Sequence, residues 1–169
     1  MILDACQLIT FGNGGHLSVI TGLVDRVIIT ADRAQREVLK PPARDELASA
    51  IRDGLIRVEA IDLEVRGEAE ALAAFDGRPA FRGRGEAEVL ALAATRGYVV
   101  GSDEVAVRRV VSAELGPERS ATSLDILIWA IRQGRFDLSA ADRLLDELDV
   151  GPGIRRELER RELSLADLV

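Results

Sequence analysis

Tyr98-Val99-Val100-Gly101-Ser102-Asp103-Glu104 decides how this chain is read. An apolar, β-branched run too short for a helix ends on two small residues and then on two acids. A helical pattern follows at once, over 103–114. The run is therefore a buried strand, over 98–101, with an acid just past its carboxyl end. The chain opens with the same device, because Met1-Ile2-Leu3-Asp4 is apolar and closes on an aspartate. Working outward, a second strand is expected over 27–30 and a third over 56–61. Helical spacing is expected over 31–39, stopped by Pro41-Pro42, and over 44–52, closed by Asp53-Gly54. A helix over 64–75 and a loop over 76–84 lead into 85–96, a helix apolar enough to be central and buried, which Gly97 ends. Strands that alternate with helices imply an α/β fold with a parallel sheet.

From Ser123 onward the pattern is helical, over 124–132, 139–148 and 154–160, with breaks that contain glycine. Arg155 to Leu168 sets leucine at helical spacing among charges, as an amphipathic layer would. No linker or repeat divides the 169 residues. One domain is expected over 1–169, with a core over 1–134 and accessory C-terminal helices over 135–169. At 47% hydrophobic but only 4% aromatic residues, its interior must be built from Leu, Ile, Val and Ala.

Several classes of function are excluded or disfavoured. Cys6 is the single cysteine and His16 the single histidine, so neither an internal disulfide nor a Cys/His zinc site can form. The opening residues lack a basic signal-peptide region, and no apolar run reaches the roughly 18 residues of a membrane span, so a cytoplasmic location is expected. A net charge of −7 argues against a broad basic face for nucleic acid, and leaves only local contacts. The glycine-rich segment around His16 has neither the Lys-Ser/Thr of a phosphate-binding loop nor a Gly-x-Gly-x-x-Gly pattern, and His16 is read as a turn residue. Cys6 is read as a small buried side chain and Trp129 as a packing residue.

Chemistry in a parallel α/β sheet sits beyond the carboxyl ends of the strands, which selects Asp4 and Asp103. Glu37 and Glu86 lie in otherwise apolar helical surroundings and can point inward. Carboxylates crowded together repel unless cations offset their charge, and hard oxygen ligands select Mg²⁺ or Mn²⁺. Against this stands a plain alternative, since Glu86, Glu88, Asp103 and Glu104 all fall where acids ordinarily compensate a helix N-terminus. Glu88, two residues from Glu86, faces roughly the other side of its helix.

Ile2-Leu3-Asp4-Ala5, Arg36-Glu37-Val38-Leu39, Gly85-Glu86-Ala87-Glu88-Val89-Leu90-Ala91-Leu92-Ala93 and Val99-Val100-Gly101-Ser102-Asp103-Glu104 together resemble the PIN-domain nucleases, in particular the PIN-like proteins related to VapC-type toxins. The resemblance covers most of the chain. It implies a three-layer fold with a central, mainly parallel sheet of four or five strands flanked by helices, and a helical C-terminal extension. It also implies Mg²⁺- or Mn²⁺-dependent hydrolysis of RNA phosphodiester bonds. Asp4, Glu37, Glu86 and Asp103 would be the catalytic acids, and Asp4, Glu86 and Asp103 the metal ligands. A further acid of the family has Glu104 or Asp125 as its candidates. Ser102, Arg82 and Arg84 would meet substrate phosphates, with Arg36, Arg108 and Arg109 as further candidates. By the same resemblance the protein would be the toxin of a toxin–antitoxin pair, held by an antitoxin protein, and a homodimer. Two rival readings use the same residues: a degenerate PIN-like module that binds or regulates without cleaving, and a phosphohydrolase acting on a small phosphate ester.

Overall fold

The computed structural model describes residues 1–23, 28–79, 81, 85–135, 137–148 and 151–169. In chain order the elements are β1 (Ile2–Leu3), α1 (Ala5–Asn13), α2 (Leu17–Leu23), β2 (Ile28–Ala31), α3 (Asp32–Glu37), α4 (Ala43–Arg52), β3 (Ile56–Glu59), α5 (Arg66–Phe75), α6 (Gly85–Arg96), β4 (Val100–Gly101), α7 (Val105–Glu114), β5 (Ser120–Ala121), α8 (Ser123–Arg132), α9 (Leu138–Glu147) and α10 (Gly151–Arg160). The strands form one sheet in the order β3-β2-β1-β4-β5, and every pairing is parallel.

Because successive residues of a strand point to opposite faces, the sheet feeds two cores. Leu3, Ile28, Ile56 and Ala121 join one cluster with Phe11 of α1, Leu47 of α4, Leu127 of α8 and Leu145 of α9. Ile2, Ile29 and Val100 join the other with Leu72 of α5, Leu90 of α6 and Val111 of α7. Helices thus cover both faces, which is why the strands read as continuous apolar runs rather than alternating ones. The C-terminal helices are not peripheral to this packing: Ala141, Leu144, Leu145 and Leu165 share a cluster with Leu3 and Phe11.

The strand order places the site. From β1 the chain moves outward through β2 to β3, then returns to the other side of β1 as β4 and β5. The reversal leaves a crevice at the carboxyl ends of β1 and β4, where Asp4 and the Ser102-Asp103-Glu104 segment emerge. Helix α6 runs beside it and is buried from Gly85 to Ala93, with its Val89-Leu90-Ala91-Leu92-Ala93 run in the core and Glu86 and Glu88 buried in its first turn.

Two elements differ from the expectation. Residues 5–23, where a glycine-rich turn dominated the pattern, hold two helices, with Asp4 as N-cap of the first. The fifth strand, Ser120–Ala121, stands between Arg119 and Thr122 with no apolar run around it to announce a strand. Among the described residues, no helix is long and apolar enough to cross a membrane.

Candidate functional site

Asp4 is 2% exposed and follows β1 directly. Its side chain N-caps α1 by accepting the Gln7 amide at 3.0 Å. The Cys6 thiol donates to the same carboxylate at 3.1 Å, and the Ser102 hydroxyl donates to Asp4 Oδ2. Burial pushes the Asp4 carboxyl up to about 6. The Ser102, Gln7 and Cys6 hydrogen bonds oppose that rise, and the charge of Glu104 adds to it.

Asp4, Glu37, Glu86 and Glu104 line one cavity of about 370 Å³, together with Cys6. These acids come from four different places: the end of β1, the end of α3, the first turn of α6 and the N-cap of α7. Glu37 Oε1 accepts the Gly85 amide at 3.0 Å, which fixes the end of α3 against the start of α6. Glu86 Oε2 is buried with no hydrogen-bond partner, and Glu104 makes no capping hydrogen bond with its side chain.

Comparison with protein-family models, curated proteins and solved structures found no match for this chain.

Three of the four expected catalytic acids, Asp4, Glu37 and Glu86, therefore share the cavity, and Glu104 takes the remaining place. Asp103 does not line it. Its carboxylate accepts from the Ser123 amide at 2.9 Å and the Ser123 hydroxyl at 2.6 Å, which anchors the start of α8 to the end of β4. Asp125, the other candidate acid, is engaged in the capping box with Thr122. Glu88 is buried but turned away, accepting the Arg33 amide at 2.6 Å and the Ile61 amide at 3.4 Å.

Among the described residues, no group of three or more His, Cys, Asp or Glu side chains stands in an arrangement to hold a metal ion. Hydrogen bonds account for this geometry, since they hold Asp4, Glu37 and Asp103 to their own protein partners. In donor chemistry the cavity is nonetheless suited to a hard divalent cation. It has carboxylate oxygens on several sides, and one of them is buried without a donor.

The expected phosphate contacts fare differently. Ser102 is fully buried, and its hydroxyl is committed to Asp4 and to the Glu104 amide, so it is a positioning group rather than a phosphate donor. Arg82 and Arg84 lie outside the described residues. Arg36 is exposed and ion-paired with Asp32 at 2.7 Å. Cys6, read from sequence as buried, is only partly so and borders the cavity; burial and the neighbouring Asp4 hold its thiol well above the ordinary range, which makes it inert as a nucleophile. His16, read as a turn residue, lies 2.6 Å from Glu147 and joins the turn before α2 to α9. Trp129 is 38% exposed and borders an apolar cavity of about 580 Å³ rather than the core.

Proposed function

We propose that this chain is a PIN-like ribonuclease that hydrolyses RNA phosphodiester bonds with Mg²⁺ or Mn²⁺ in the cavity at the carboxyl ends of β1 and β4. The observation that carries the reading is the convergence of Asp4, Glu37, Glu86 and Glu104 on that one cavity. Four carboxylates brought to one cavity repel one another, and a buried carboxylate oxygen without a donor is relieved by a cation.

A bound divalent ion would supply an activated water and offset charge on the phosphate. The chain's own groups divide the remaining work. Asp4 and Glu86 are the ligands in this reading, with Glu37 and Glu104 holding the attacking water. Asp103 acts through structure, by fixing α8 against the end of β4. The role of toxin, an antitoxin partner and a homodimer belong to the same proposal and rest on the resemblance in sequence, whereas a cytoplasmic location rests on the single cysteine and the short apolar runs, and a single domain over 1–169 on chain length and hydrophobic content.

A second reading is favoured by one observation. No three acids stand in metal-holding arrangement among the described residues, as a PIN-like module that binds a partner without cleaving would have it. The test is incubation of purified protein with bulk cellular RNA and Mg²⁺ or Mn²⁺, beside EDTA and the Glu86→Gln and Asp4→Asn variants. Metal-dependent cleavage that both variants lose supports the ribonuclease. Cleavage by neither wild type nor variants, or equal cleavage by all, supports the binding module.

A further inference from the structure

Beside the acidic cavity lies a second one of about 450 Å³, between α7, α8 and α10, and the two are bordered by the adjacent residues Glu104 and Asp103. Its volume is in the range of cavities that take small ligands. Much of its wall is apolar, formed by Leu124, Ile154, Leu158 and Leu163. Its charged groups nearly all have protein partners. Asp103 accepts from Ser123, Asp125 from Thr122, and Glu157 pairs with Arg161 at 2.8 Å.

The exception is Arg108. Its Nε is buried with no hydrogen-bond partner, and no acid pairs with its guanidinium among the described residues. An arginine held part-buried without an acceptor is a costly arrangement that an anion relieves. Arg108 also borders the shallow groove on α7 that contains Arg109 and Ser112, so the basic surface continues away from the acidic cavity. An unpaired guanidinium beside an apolar wall matches a nucleotide, with the phosphate on the cation and the base on the leucines.

We infer that this cavity binds the nucleotide flanking the scissile phosphodiester, with Arg108 on its phosphate and the Leu124–Leu163 wall against its base. The inference rests on the ribonuclease reading for the class of ligand, and it gives the strand a direction, from the acidic cavity across the 103–104 segment onto α7. It also explains how a chain of net charge −7 can engage RNA, through one local contact rather than a basic face.

The experiment is fluorescence anisotropy of a labelled twelve-nucleotide single-stranded RNA of mixed sequence, in EDTA so that cleavage plays no part. The proteins are wild type, Arg108→Ala, Arg108→Lys and, as a control, Arg143→Ala, an exposed residue of α9. Arg108→Ala is expected to bind about tenfold more weakly, with a salt dependence reduced by about one ion. Arg108→Lys should recover part of the loss, and Arg143→Ala should match wild type. Unchanged affinity in Arg108→Ala, an equal loss in Arg143→Ala, or no RNA binding by wild type would overturn the inference. Binding that depends on Arg108 in a protein that cleaves nothing with Mg²⁺ or Mn²⁺ would keep the nucleotide site and remove the nuclease, and with it the scissile bond beside the site. Melting curves of all four proteins separate loss of the contact from loss of the fold.

Discussion

Glu37 Oε1 accepts the backbone amide of Gly85 at 3.0 Å, joining residues 48 positions apart. The contact admits no side chain at position 85. A Cβ there would lie 2.9 Å from Glu37 Oε1 and 3.0 Å from the Ala34 Cα. Gly85→Ala therefore displaces the Glu37 carboxylate or parts α6 from α3, and either shift moves Glu86 and Glu37 relative to each other. Overpacking of this kind lowers stability by about 1–3 kcal/mol. Denaturant unfolding should show that loss, and metal-dependent RNA cleavage should fall much further than the loss of folded protein explains. A variant with wild-type activity would mean that the α3–α6 spacing does not matter to the site.

Asp4→Asn is expected to stabilise the protein at neutral pH while abolishing its activity. Burial raises the Asp4 carboxyl from 3.8 to about 6, so the fold disfavours the charged form. Below pH 3.8 both folded and unfolded chains carry the proton and the group has no effect. As pH rises towards 6 the unfolded chain loses its proton first, and stability falls. Above that value the penalty is complete, about 3 kcal/mol at roughly 1.4 kcal/mol for each pH unit between the two values. Asn keeps an acceptor for the Gln7 amide and carries no charge. Unfolding curves at pH 7 and pH 4 are the check: the variant should be the more stable protein at pH 7, and the gap should close at pH 4. A variant less stable than wild type at both would show that the Ser102 and Cys6 hydrogen bonds outweigh burial.

The sequence makes the acids at the strand ends legible because the features that announce them are local: a short apolar run, a small residue, an acid, a helix. Asp4 and Asp103 are legible this way, as are the apolar runs of β1 to β4, while Glu86 stands out by its apolar helical surroundings. Glu104 was harder to rank than Asp103, because only the turn after β4 decides which of two adjacent carboxylates faces the cavity. Here the Ser123 amide and hydroxyl take Asp103, a contact 20 residues distant that no local pattern encodes. Helix α1 escaped for a related reason. Ala5-Cys-Gln-Leu-Ile-Thr-Phe-Gly-Asn13 has a weak helical pattern, and it is held by Asp4 at its N-cap and by packing of Phe11 in the core. The close approach of Gly12 to Ala43 of the neighbouring helix α4, where a Cβ would lie 2.8 Å from the Ala43 Cα, is likewise tertiary information.

Asp103 has a structural role that can be separated from catalysis. Its two carboxylate oxygens take both the amide and the hydroxyl of Ser123. Asp103→Ala leaves these donors unsatisfied, and Ser123 is fully buried, so a loss of about 1–3 kcal/mol is expected. The loss should be the same in EDTA as in Mn²⁺. Ser123→Ala removes only the hydroxyl and should have the smaller effect. Should Asp103→Ala instead lose a Mn²⁺-dependent stabilisation and little else, Asp103 would be a ligand and its bond to Ser123 incidental.

Glu86 and Glu88 give the sharpest contrast, since they share a helix turn and are both buried. Glu88 bridges two separate segments by accepting the amides of Arg33 and Ile61, so its removal leaves two backbone donors without partners. Glu88→Gln keeps one acceptor but sets an NH2 donor against the other amide, so it should lower stability by about 1–3 kcal/mol and leave any metal effect intact. Glu86 has the opposite character, since it lines the cavity and its buried Oε2 has no donor to lose. Glu86→Gln should keep or slightly raise the melting temperature in EDTA. A cation that binds the folded chain at a hundred times its dissociation constant adds about 2.7 kcal/mol of stability. Wild type and Glu88→Gln should show a rise in melting temperature with Mn²⁺, and Glu86→Gln should not. The reverse outcome, a Mn²⁺ effect kept by Glu86→Gln and lost by Glu88→Gln, would transfer the ligand role to the acid that now ties α3 to the segment after β3, and the cavity would have to be redrawn around it.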